Sequence, residues 1–90
     1  MGTVNIRIKI MPSSPNSNLE EIKERTRKVI EKEGGKSCIF DEEPIAFGLK
    51  AVIVTFLYPE EKGIDPMESH LGKIENVNSI QIIDIRRALG

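Results

Sequence analysis

Ninety residues fit one compact domain at the ~100–200 residues usual for each, and 27 of them are Ile, Leu, Val or Phe, enough to build a core. One cysteine, Cys38, one histidine, His70, and no apolar run near the ~20 residues of a membrane helix exclude a disulfide scaffold, a usual zinc site and a membrane span. The N-terminus lacks the basic and apolar blocks of a secretion signal, so the expectation is a cytoplasmic α+β protein forming a single domain over residues 1–90.

Val4 to Ile10 alternates apolar and polar at every step, the period of a strand with one face in a core. Turn formers at Pro12, Ser13, Ser14, Pro15, Asn16 and Ser17 end it. Asn18 is placed as an N-cap, with Glu21 three residues on completing a capping-box-like pair. Leu19, Ile22, Thr26, Val29 and Ile30 then recur at helical spacing until Gly34-Gly35 stops the helix. Lys36 to Phe40 reads as a short strand, Asp41-Glu42-Glu43-Pro44 as an acidic loop, and Ile45-Ala46-Phe47 as a continuation of the extended run before Gly48. Leu49 to Tyr58, β-branched and aromatic, reads as an interior strand. After a loop from Pro59 to Gly63, Asp65 as cap, Pro66 in the first turn and Glu68 mark a second helix. Met67, His70 or Leu71, and Ile74 are its candidate buried stripe. Ser79 to Ile85 is the last strand, with an Ile82-Ile83 doublet that breaks its alternation.

Strand, helix, strand, strand, helix, strand in so short a chain matches the ferredoxin-like βαββαβ sandwich. In that fold a four-stranded antiparallel sheet carries two helices on one face.

The chemistry-bearing residues fall into few groups. Gly35-Lys36-Ser37 looks like the end of a phosphate-binding loop, but Ile30 occupies the earlier glycine position. The segment also leaves a helix rather than opening one, so direct nucleotide binding is not expected. Asp41, Glu42 and Glu43 read as a solvated acidic loop rather than a metal site, and no metal or other cofactor is expected. Cys38 reads as a small apolar residue, and a nucleophilic pair with His70 would have to be assembled by the fold.

Thirteen basic and fourteen acidic side chains nearly cancel, and residues 41–75 carry three basic against eight acidic. A general nucleic-acid binder shows a dominant basic stripe instead. The aromatics are limited to Phe40, Phe47, Phe56 and Tyr58, few for a sheet that stacks bases. Arg86-Arg87 suits either an acidic or phosphate contact or simple solubility. Phe47, between Ala46 and Gly48 after a proline, has two readings: a core phenylalanine or an anchor for a protein partner.

The run Pro44-Ile45-Ala46-Phe47-Gly48-Leu49-Lys50 resembles the guanine-nucleotide exchange domain of translation elongation factor 1-beta. Asn18-Leu19-Glu20-Glu21, and Ile80-Gln81 with Asp84-Ile85, are similar as well. The likeness runs over nearly the whole chain, and the short form, without preceding domains, is similar to the archaeal version. The resemblance implies an exchange factor without covalent chemistry of its own that binds elongation factor 1-alpha and promotes replacement of GDP by GTP. It implies that Phe47, followed by Gly48, inserts into that GTPase. In eukaryotic relatives a lysine beside the C-terminus reaches the magnesium and phosphate region. Gly90 stands there in this chain, and Arg86 and Arg87 lie three or four residues earlier. A ferredoxin-like module binding RNA or a small molecule is the alternative reading, and an enzyme using Cys38 ranks third.

Overall fold

The alternation of Val4–Ile10 organises the whole molecule, because it places Ile6, Ile8 and Ile10 on one side of a central strand where all three are buried. In the structure, a computed structural model describing residues 2–88, this is β1 (Thr3–Pro12). It is followed by α1 (Leu19–Lys32), β2 (Lys36–Pro44), β3 (Lys50–Pro59), α2 (Asp65–Gly72) and β4 (Val77–Ala88). The sheet runs β2-β3-β1-β4 with each neighbouring pair antiparallel. Ile22 and Ile30 of α1 and Met67 and Leu71 of α2 join Ile6, Ile8, Ile10, Val52, Val54, Phe56 and Tyr58 in one core. Both helices therefore cover the same face of the sheet, as the ferredoxin-like reading requires.

The start of α1 is half of the expected capping box. The Glu21 N–H donates to Asn18 Oδ1 at 3.1 Å, but the Glu21 carboxylate turns to Arg25 at 2.8 Å instead of reaching back. Its end is a two-bond glycine cap. Gly35 N–H donates to the Ile30 carbonyl at 2.8 Å and Gly34 N–H to that of Glu31 at 3.1 Å. Gly34 takes φ +103°, and a Cβ on Gly35 would lie 2.4 Å from Ile30 Cγ2. One glycine supplies the left-handed turn and the other the close approach. Gly35-Lys36-Ser37 thus leaves a helix and enters a strand, as read.

Four expectations are corrected. Asp41-Glu42-Glu43-Pro44 is not a loop but the second half of β2, in register with Ile53, Val52, Ala51 and Lys50. Alternate residues of that half interact with opposite faces: Glu42 reaches Lys23 of α1 at 2.8 Å, while Glu43 reaches Lys9 at 3.0 Å. Ile45-Ala46-Phe47 does not continue the strand; Ala46–Gly48 is a tight turn. Asp65 is the first residue of α2 rather than its cap, which is Ile64 with no side-chain hydrogen bond. Finally, β4 extends past Ile85, so Arg86 and Arg87 belong to a strand and not to a tail.

The Ile82-Ile83 doublet is explained by a bulge. Arg7 pairs with Asp84 and Ile8 with Ile82, leaving Ile83 as an extra residue. The bulge restores the alternation on both sides of it. No helix among the described residues is long and apolar enough to cross a membrane.

Candidate functional site

The β2–β3 connection is short and closed by its own backbone. Ile45 N–H donates to the Leu49 carbonyl at 2.8 Å, and Leu49 N–H donates to that of Ala46 at 3.3 Å. Between them Phe47 sits at φ 64° and ψ 29°, followed by Gly48 at φ 75°. Two successive left-handed residues are the signature of the tight hairpin turn that usually holds Asn-Gly or Asp-Gly. Here the first position is a phenylalanine, a bulky residue for which that region costs roughly 1–2 kcal/mol. A Cβ at Gly48 would meet nothing within 4 Å, so that glycine serves the backbone angle and not the space.

Phe47 is 92 % exposed, the most exposed large apolar residue described. Of its two readings, the core one is overturned: the side chain stands outside the hydrophobic cluster, at the tip of the hairpin. The other sheet aromatics lie on the opposite account. Phe56 and Tyr58 are buried under the helices, edge to face with ring centroids 6.1 Å apart, and Phe40 pairs with Val54 on the same side. The face of the sheet turned away from the helices presents no aromatic among the described residues.

That open face is instead a lattice of charge over a few apolar residues. Lys9 and Glu43 meet at 3.0 Å across the intervening strand β3. Ala51 and Ile53 are buried there, although they face away from the core. Arg86 pairs with Asn5 and Arg87 with Val4, so the two arginines point to opposite faces. Arg86 Nε is ion-paired with Asp84 Oδ2 at 2.8 Å on the open side, while Arg87 is ion-paired with Glu60.

The four residues singled out for partner contact therefore do not form one cluster. Asn5, level with Arg86, pairs with Leu57, whereas Phe47 lies beyond Lys50 at the other end of β3. Seven residues at ~3.3 Å each put these sites roughly 23 Å or more apart along the sheet. Gly90, where the resemblance places a cationic side chain, lies outside the described residues.

The remaining candidates are dispersed. Asp41, Glu42 and Glu43 alternate in direction along a strand, and no group of three potential metal ligands exists among the described residues. The Lys23 ammonium, hydrogen-bonded to Glu42, holds that carboxyl below its usual range, and Lys23 itself is pushed up by Glu42 and Glu20. Burial pushes the Cys38 thiol up, with the Glu31 charge adding to it. His70 Nδ1 instead lies 3.3 Å from Glu33, so the cysteine and histidine form no pair.

Element order, sheet topology and the placement of both helices define an α+β domain of the ferredoxin-like class. Residues 5–88 match the family model of the EF-1 guanine nucleotide exchange domain. Elongation factor 1-beta of Methanosarcina barkeri is 43% identical over 88 residues, covering 97% of this chain and 99% of the relative. That of Methanocaldococcus jannaschii is 38% identical over 89 residues, covering 98% and 100%. This chain belongs to the EF-1 guanine nucleotide exchange domain family. Its function is guanine-nucleotide exchange in translation elongation.

Proposed function

We propose that residues 1–90 act as one exchange domain on elongation factor 1-alpha, with Phe47 as the anchor and Arg86 and Arg87 as a second, charged contact. The observation that carries this reading is the phenylalanine held 92 % exposed in a left-handed turn. The left-handed backbone at Phe47 costs the free protein stability, and strain of this kind collects at functional positions. A partner pocket that takes the ring gains by removing its apolar surface from water.

The protein needs no covalent chemistry and no cofactor to do this. It works by binding the nucleotide-free GTPase better than the nucleotide-bound form, and nucleotide then weakens its own binding by the same ratio. Accelerating release about 1,000-fold asks for about 4 kcal/mol of barrier lowering. The separation of Phe47 from the arginines supports a division of labour. One end of the domain supplies apolar affinity, and the other presents charge that competes for groups around the bound nucleotide. Translation places this activity in the cytoplasm.

Release of a fluorescent GDP analogue from archaeal elongation factor 1-alpha, with and without this protein, tests the reading. Acceleration at substoichiometric amounts is the expected result, since an exchange factor turns over. No acceleration with both proteins folded overturns it and brings the RNA or small-molecule reading forward.

A further inference from the structure

The open face of the sheet holds a cleft of about 230 Å³ lined by Asn5, Arg7, Thr55, Asp84 and Arg86. It is a product of register. Asn5 pairs with Arg86 and Arg7 with Asp84 across β1 and β4, and Arg7 pairs with Thr55 across β1 and β3. Residues in register share a face, so side chains from three strands converge on one patch that neither helix covers.

The charges in the cleft are unequally satisfied. Arg86 Nε lies 2.8 Å from Asp84 Oδ2, an ion pair that leaves the terminal amino groups of that guanidinium out of the contact. Arg7 is exposed and forms no ion pair among the described residues. The lining therefore carries two cations against one anion, with the Asn5 amide and the Thr55 hydroxyl as further polar partners.

We propose that this cleft receives a carboxylate side chain of the partner GTPase, with Arg7 making the principal contact and Arg86 assisting. A net charge of +1 matches a monoanion, whereas the Asp84 carboxylate inside the cleft repels a phosphate carrying about two negative charges. The planar fork of a guanidinium fits the two oxygens of a carboxylate. A protein source is favoured because the cleft shares Arg86 with the partner contact and has no aromatic on its face to stack a base. The inference rests on the exchange reading and narrows it: the docking side at this end of the sheet is the open face, so Arg86 belongs to the charged contact and Arg87, paired with Glu60 on the other face, does not.

The test is the fluorescent-GDP release assay run over a range of concentrations of Arg7→Gln, Arg7→Glu and Arg7→Lys. At low salt Arg7→Gln should raise the half-saturating concentration about fivefold, and Arg7→Glu should raise it further. The saturating rate should stay unchanged, because the contact supplies affinity rather than barrier lowering. Arg7→Lys should recover part of the loss, and raising the salt to about 0.3 M should shrink every difference. Circular dichroism melts check the fold; should Arg7→Glu fail to fold opposite Asp84, Arg7→Gln decides the matter. An active wild type whose curve is matched by the folded Arg7→Gln and Arg7→Glu variants at low salt overturns this proposal alone. A wild type that does not accelerate release overturns the exchange reading and this proposal with it. Inorganic phosphate shifting the Arg7 and Arg86 side-chain NMR signals at submillimolar concentration overturns the carboxylate assignment.

Discussion

Replacing Phe47 with alanine separates the cost of the partner contact from the cost of folding. In the free protein the ring is 92 % exposed and lies outside the core, so its loss removes almost no packing. Alanine at φ 64° meets the same left-handed penalty as phenylalanine, which leaves the backbone contribution unchanged. The melting temperature of Phe47→Ala should therefore stay close to that of the wild type. In the complex, a phenylalanine taken into a pocket removes ~150–200 Å² from water, worth about 4 kcal/mol at ~25 cal/mol per Å². Subtracting what an alanine methyl retains and ~0.5–1.5 kcal/mol for immobilising the ring leaves about 2–3 kcal/mol. That is a rise of roughly 30- to 150-fold in the half-saturating concentration for GDP release. If the pocket grips the ring equally in every nucleotide state, excess variant restores the full rate; a lowered saturating rate means the ring acts in the transition state as well. A folded Phe47→Ala whose titration lies within twofold of the wild type would refute the anchor.

Three further outcomes follow from the rest of the structure. Thr26 Oγ1 is fully buried without a hydrogen-bond partner, so Thr26→Val should stabilise by about 1 kcal/mol and raise the melting temperature by roughly 4–8 °C in a domain this small; an unchanged or lower value would show the hydroxyl bonded in solution. Because Lys23 holds the Glu42 carboxyl below 4.5 in the folded protein, their stabilisation is present above that pH and is lost as the pH falls through the lowered folded value. Glu42→Gln should accordingly flatten the acid side of the stability curve, and an identical acid slope in both proteins would refute the pairing. Burial raises the Cys38 thiol, so iodoacetamide should label the native protein near pH 7.5 far more slowly than the unfolded chain; equal rates would revive a reactive cysteine.

The chain by itself determined the elements whose periodicity answers to a single local rule. The alternation of Val4–Ile10 places three isoleucines in the core, and the Ile22, Thr26, Ile30 spacing places α1 against them. The Gly34-Gly35 stop follows from the left-handed angle and close approach that a helix end requires. That Gly48 marks a turn beside Phe47 was also legible, although Ile45-Ala46-Phe47 itself read as a continued strand. The exposure of Phe47 was not legible, since an isolated phenylalanine satisfies a core or a surface equally well until the neighbouring strands are in place.

Tertiary structure decided what depends on pairing. Asp41 to Pro44 looks like a loop because its composition is acidic, yet main-chain bonds to β3 and the cations Lys9 and Lys23 on either face hold it as an edge strand. Local propensity yields there to cross-strand context. The bulge at Ile83 shifts the register of β4 by one residue, and in a period-two element one residue exchanges the faces. That shift sets Arg86 beside Arg7 on the open side and turns Arg87 toward Glu60. Residues 79 apart in sequence meet only because hydrogen bonds between β1 and β4 align them, a relation that no local pattern in either strand encodes.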